Sequence, residues 1–217
     1  MTPNREDYLK LIFELSGENR LVSNKQILAN INVSGASVSE MISKLAKEGL
    51  ACHTPYQGVQ LTERGWTLAS SLIRKHRLWE VFLMNNLKYS WENIHEEAEL
   101  LEHATSNTLA DKLSLFLNHP EVCPHGGVIP KNNETISEKT TTILADCKVE
   151  TTIQILRVLD ADPLLLKSLK NIEIILNEKY VIQEKNEERT VLLQEKNQQK
   201  ITIPHRITNA IFIKTLM

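Results

Sequence analysis

The sequence predicts a multidomain protein, mainly α-helical over its N-terminal two-thirds and built of short β-strands beyond about Ile143. Three observations carry that reading. From Thr2 to Asn118, apolar residues recur at helical spacing in runs that open on Ser or Thr caps. Breaks at Pro120, Pro124, Gly126-Gly127 and Pro130 then mark loop and linker over His119 to Ile136. After Ile143 the hydrophobic period shortens to that of strands.

The elements run in order along the chain. Thr2 caps and Pro3 opens a first helix with Leu9, Ile12, Phe13 and Leu15 as its apolar stripe. Ser23 and Gln26 form a capping box for a short second helix. After a turn at Asn32-Val33, Ser34 caps a third helix whose Val38, Met41, Ile42 and Leu45 share one face, and Gly49 ends it. Two short helices joined by a tight turn make a helix-turn-helix, and the alternation of Ala51 to Thr62 about Gln57-Gly58 adds a hairpin, giving a winged helix. Ser34, Ala36, Ser37, Ser39, Glu40 and Lys44 occupy the outer face of the third helix. They are small or polar side chains suited to close approach to DNA bases and phosphates. Thr62 caps a long helix to about Leu87, followed by helices over Trp91 to Thr105 and Thr108 to Asn118. The long helix carries more large apolar residues than one helix needs, which predicts a dimer interface on it. Strands are expected at Thr151–Leu159, Lys179–Glu184, Thr190–Gln194, Lys200–Ile203 and Ala210–Lys214, with a helix over Pro163–Lys170. Five short strands suggest a small β-barrel. It has no glycine after Lys148, so Asn171, Asn177, Asn186 and Asn197 are expected at its turns.

Composition narrows the function classes. The chain has 217 residues and 41% hydrophobic content, enough for two or three small cores. No apolar run reaches the roughly 20 residues of a membrane span, and the N-terminus lacks a signal-peptide core. Three cysteines with no C-x-x-C pair argue against a disulfide framework or zinc ribbon and fit a reducing cytoplasm. A net charge of −2 means that a DNA-binding surface must be local, or an acidic cluster must be neutralised first.

The polar motifs point to a metal. His76 and Glu80 lie four residues apart on one helix, and Glu99, Glu102 and His103 have i, i+3, i+4 spacing on another. Carboxylates and imidazoles converging at a buried face need a counter-charge, which a divalent cation such as Mn²⁺ or Fe²⁺ supplies. Cys123 and His125 place a thiolate and an imidazole in one loop. The H-E-x-x-H and H-x-x-E-H patterns fail at Glu99, and no nucleophile elbow or phosphate loop is present, so a metal-dependent hydrolase or a metal-storage protein is the weaker reading.

The ordered stretches Val33-Ser34-Gly35-Ala36-Ser37-Val38-Ser39-Glu40-Met41-Ile42, Arg74-Lys75-His76-Arg77-Leu78, His95-Glu96-Glu97-Ala98, Glu102-His103, and Cys123-Pro124-His125-Gly126 running into Ile129-Pro130 resemble the diphtheria toxin repressor family. The manganese-responsive streptococcal branch of these metal-dependent transcriptional regulators is the most similar. The resemblance implies three domains: a winged helix-turn-helix over 1–64, a helical dimerisation and metal-binding domain over 65–140, and an SH3-like (FeoA-like) barrel over 141–217. It also implies two metal sites per subunit. One would use Glu80, Cys123, His125 and Asp160; the other would use Asp7, His76, Glu99, Glu102 and His103. Asp162, before Pro163, is the expected cap of the next helix, which leaves Asp160 as the ligand. His95 matches a ligand position in some members. Iron-responsive members carry Met and Cys in place of Asp7 and Glu99, so oxygen ligands here favour Mn²⁺, with Fe²⁺ or Zn²⁺ kept open by Cys123. The implied function is a cytoplasmic, homodimeric repressor of metal-uptake genes that binds an inverted-repeat operator in double-stranded DNA.

Overall fold

The computed structural model describes residues 3–16, 21–31, 33–131, 142–159 and 163–216. Helix α1 spans Pro3–Ser16, α2 Asn24–Leu28 and α3 Gly35–Lys47. The expected Thr2 cap and Asn32 turn residue lie outside the described residues. Both halves of the capping box form: Ser23 Oγ accepts from the Gln26 N–H, and Gln26 accepts from the Ser23 N–H at 2.9 Å. Ser34 Oγ accepts from Ser37 N–H at 3.1 Å, and Gly49 takes the left-handed φ of +69° that ends α3. Strands β1 (Ala51–Thr54) and β2 (Gly58–Leu61) form the antiparallel wing. At the wing tip Tyr56 takes a positive φ of 63°, and Gly58 serves close approach: a Cβ there would lie 2.4 Å from the Val22 carbonyl oxygen. Val22 and Val59 exchange backbone hydrogen bonds at that point, each 2.9 Å. Leu9, Ile12, Phe13, Ile27, Val38, Ile42 and Leu45 fill the core beneath.

Helix α4 (Glu63–Asn85) leaves the wing with Thr62 Oγ1 accepting from Gly65 N–H at 3.1 Å. Its Ala69 and Ile73 belong to the first core, while Leu78 and Val81 belong to a second core with Ala110, Leu113, Cys123 and Ile129. The helix thus welds the winged helix to the second core. Helix α5 covers Ile94–Ala104 and α6 Asn107–Phe116. Trp91 stands in the turn before α5 instead of starting it. On α4, Leu72, Ile73, Leu78, Val81 and Leu83 are buried, whereas Leu68 is exposed and Trp66, Trp79, Phe82 and Met84 are half-buried, so the helix keeps apolar surface outside the cores; Leu100 of α5 and Leu109, Leu115 and Phe116 of α6 are exposed as well.

The segment from His119 to Lys131 is an ordered loop, pinned by a bridge between Val122 and Val128 and by Gly126 N–H to Cys123 O at 2.9 Å. Beyond it, β3 (Thr152–Val158), β4 (Lys179–Lys185), β5 (Arg189–Gln194), β6 (Lys200–Pro204) and β7 (Ile211–Thr215) form one antiparallel sheet in the order β6-β5-β4-β3-β7. Helix α7 (Pro163–Asn171) covers its core. Irregularities at Ile155/Arg157 and Ile182/Glu184 increase the twist, so the sheet curls in SH3-like fashion, but no described ladder closes it into a barrel. The turn chemistry departs from expectation. Only Asn177 among the four asparagines takes a positive φ; Glu150, Glu173 and Gln198 take the others. Asn186 and Asn197 instead accept hydrogen bonds from backbone N–H groups ahead of them, and Asn171 is helical. Among the described residues, no helix is long and apolar enough to cross a membrane.

Candidate metal centres

Two sets of ligand atoms flank α4. The first combines Glu80 of α4 with Cys123 and His125 of the ordered loop, all buried, their ligand atoms within 4.8 Å of one another. The expected fourth ligand, Asp160, lies outside the described residues, as does Asp162. His125 Nδ1 is 2.8 Å from Glu80 Oε1, and its Nε2 is 3.0 Å from the Trp91 carbonyl oxygen. Both ring nitrogens therefore face acceptors, so a proton must sit between His125 and Glu80. A cation at Nδ1 would replace that proton, while the Trp91 carbonyl keeps Nε2–H in place. The loop cannot shift easily. Gly126 has φ +87°, and a Cβ there would meet the Leu156 carbonyl oxygen at 2.1 Å. His125 O accepts from Val158 N–H at 3.0 Å, which hydrogen-bonds the loop to the end of β3.

The second set joins Asp7 of α1 to Glu99, Glu102 and His103 of α5, again within 4.8 Å. His103 Nε2 lies 3.1 Å from Asp7 Oδ1, a buried oxygen that accepts no hydrogen bond. Burial, with Glu99 nearby, pushes the Asp7 carboxyl up to about 6, against the downward pull of His103 and Lys10. Glu102 is fully buried, and its pKa is nonetheless lowered: burial alone would raise it, and Lys10 and His76 overcome that effect.

His76 stands between the two sets. Its Nδ1 lies 2.5 Å from Glu102 Oε2 and its Nε2 3.2 Å from Glu80 Oε1. Its pKa is pushed up to about 10; burial and Lys10 act downward, but Glu102 and Glu80 outweigh them. His95 is buried too, its ring 4.8 Å from that of His76 and its Nε2 3.7 Å from Glu99 Oε2. Together, His76, Glu80 and His95 form a third group with ligand atoms within 4.8 Å.

Two participants escaped the sequence reading. Glu6 Oε2 lies 2.6 Å from His103 Nδ1 and orients that ring. Lys10 donates to Glu99 and, at 3.1 Å, to Glu102, and lies 3.2 Å from His76 Nδ1. The i, i+3 spacing of Asp7 and Lys10 puts both on one face of α1, the only signal available in sequence.

The donor chemistry fits divalent cations. Three carboxylates and an imidazole in the Asp7 set suit Mn²⁺ or Fe²⁺, and the orphaned Asp7 oxygen is a vacant acceptor for one. Carboxylate, thiolate and imidazole in the Glu80 set extend the range toward Zn²⁺. In the winged helix, Ser34 at the cap of α3 and Ala36, Ser37, Ser39, Glu40 and Lys44 along it are all exposed. Ser39 is partly committed, since its hydroxyl donates to Gly35 O at 3.0 Å and receives Asn24 Nδ2 at 3.4 Å.

Comparison with known proteins agrees with this layout. Residues 1–59 match the iron dependent repressor N-terminal DNA binding domain, and residues 62–131 match the iron dependent repressor metal binding and dimerisation domain. The iron-dependent repressor IdeR of Mycobacterium tuberculosis is 34% identical over 125 residues, 58% of this chain and 54% of IdeR. The diphtheria toxin repressor of Corynebacterium diphtheriae is 31% identical over 129 residues, 59% of this chain and 57% of that protein. The matched region is thus little more than half the length of these curated relatives. The solved structure of the manganese regulator SloR, in contrast, is similar over 100% of both chains, at 40% identity and a TM-score of 0.83. The chain belongs to the diphtheria toxin repressor family of metal-dependent transcriptional regulators.

Proposed function

We propose that this protein is a metal-dependent transcriptional repressor, activated by Mn²⁺, that binds an inverted-repeat operator as a homodimer and controls metal-ion uptake genes in the cytoplasm. One observation carries the reading: two ligand sets lie against α4, a half-buried one tying α1 to α5 and a buried one resting on a loop hydrogen-bonded to β3. The working division is a DNA-binding unit over 1–64, a dimerisation and metal-binding unit over 65–140 and an SH3-like unit over 141–217. A divalent cation, when bound, supplies the positive charge that the clustered carboxylates lack. Asp7 carries the consequence to α1, and α1 packs in the same core as α3, whose exposed face would enter the major groove. In a dimer, two such helices must face the same side of the duplex about one helical turn apart. The exposed apolar residues Leu109, Leu115 and Phe116 of α6 offer the surface for that pairing. Holding α1 against α5 therefore favours the DNA-competent arrangement by population shift.

Buried Cys123 favours a second reading in which Fe²⁺ or Zn²⁺ is the activating ion, because thiolate prefers softer metals. Duplexes selected from a random pool in the presence of Mn²⁺ test both readings by gel retardation. Retardation of an inverted repeat with micromolar Mn²⁺ and its loss with chelator are expected. Equal affinity in chelator and in every metal would refute the function, and retardation by Zn²⁺ or Fe²⁺ alone would favour the second reading.

A further inference from the structure

We propose that Lys10 is the resident counter-cation of the Asp7–Glu99–Glu102–His103 cluster, that an incoming metal ion must displace its ammonium, and that Lys10 thereby sets the metal concentration at which the protein responds. The inference rests on the reading of this cluster as a metal site and adds a competitor to it. Lys10 arises from α1, and its side chain is only 7% exposed. Its Nζ donates to Glu99 and to Glu102 (3.1 Å) and lies 3.2 Å from His76 Nδ1, so it draws on atoms a metal ion would use.

A buried ammonium is costly unless paired, and a buried carboxylate equally so. Lys10 and Glu102 satisfy each other, and those interactions keep the lysine firmly charged despite its burial. A divalent ion brings two positive charges and an ammonium leaves with one, so the cluster gains net positive charge on exchange. The free energy of breaking the Lys10 contacts is subtracted from metal binding. Glu14, one turn further along α1 and buried, also favours the charged lysine and leaves the displaced ammonium a carboxylate on its own helix. Because Lys10 and Asp7 share α1, exchange alters how that helix is held against α5: a lysine contact in the metal-free state, an aspartate ligand in the metal-bound one.

Calorimetric Mn²⁺ titration of the full chain, wild type against Lys10→Met and Lys10→Arg, tests this. Lys10→Met should tighten one binding event by about tenfold and lower the melting temperature of the metal-free protein more than that of the manganese-bound protein. Lys10→Arg, which keeps the charge, should tighten it less. Unchanged or weaker binding by Lys10→Met overturns the inference alone, since a lysine that merely shaped the site would lower affinity on removal. A wild-type chain that binds no Mn²⁺ overturns both the inference and the metal-site reading beneath it. The wild type gives a readout that needs no variant: the Lys10 side-chain ¹H–¹⁵N resonance should move when Zn²⁺, a diamagnetic probe, is added. A resonance that stays fixed while Zn²⁺ binds at the Asp7 cluster also overturns the proposal.

Discussion

The two ligand sets are built on opposite principles. The Asp7 set is assembled from two helices that meet only through tertiary packing, and a flexible side chain, Lys10, balances its charge. The Glu80 set is fixed by covalent proximity: Cys123 and His125 lie two residues apart in a loop that Gly126 presses against β3. The first is arranged to change when its cation changes, the second to stay as it is. The contrast teaches which set should govern DNA binding and which should hold the assembly together.

The largest effect should come from Glu102→Gln. This buried residue faces both Lys10 and His76, so its loss should weaken the Mn²⁺ response of operator binding about a hundredfold, as loss of a metal-site residue does. A response within threefold of wild type in retardation assays would reverse the assignment of the governing set. Gly126→Ala should destabilise the fold by about 2 kcal/mol, because its φ of +87° and the Leu156 carbonyl both oppose a Cβ. Denaturant titration measures that loss; metal at the Asp7 set should survive it. Cys123→Ser should remove one metal per subunit by native mass spectrometry while weakening operator binding only about tenfold. An equal or larger operator defect than that of Glu102→Gln would erase the distinction between the sets. Glu6→Gln, which loosens His103 without removing a member of the set, should weaken Mn²⁺ binding by only about tenfold; a loss as large as that of Glu102→Gln by calorimetry would make Glu6 a ligand.

The helices of the N-terminal half were legible because their caps are local. Ser23 with Gln26, Ser34 and Thr62 each satisfy an N–H within three residues, whatever the rest of the chain does. Strand positions were legible from alternation. Turns were less so, since Glu150, Glu173 and Gln198 adopt left-handed backbone that composition assigns to asparagine. Spacing picked out the candidate ligands, and the resemblance grouped them much as packing does, with His76 the exception. His76 lies between both sets, and only packing reveals it. Lys10 and Glu6 act across 66 to 97 residues of chain, beyond any periodic signal.

The three tryptophans are distributed one to each level of this architecture. Trp66 meets Phe13 edge-on in the first core, with ring centroids 4.7 Å apart. Trp79 donates Nε1–H to Thr105 Oγ1 at 2.7 Å in the middle helices. Trp91 sits with its ring 4.8 Å from His125, its Nε1–H on the Pro124 carbonyl and its side chain against the core of the sheet. The molecule therefore carries its own optical labels. Chains retaining a single tryptophan would show by emission which unit loosens first on heating, and an ion arriving beside His125 would announce itself through Trp91.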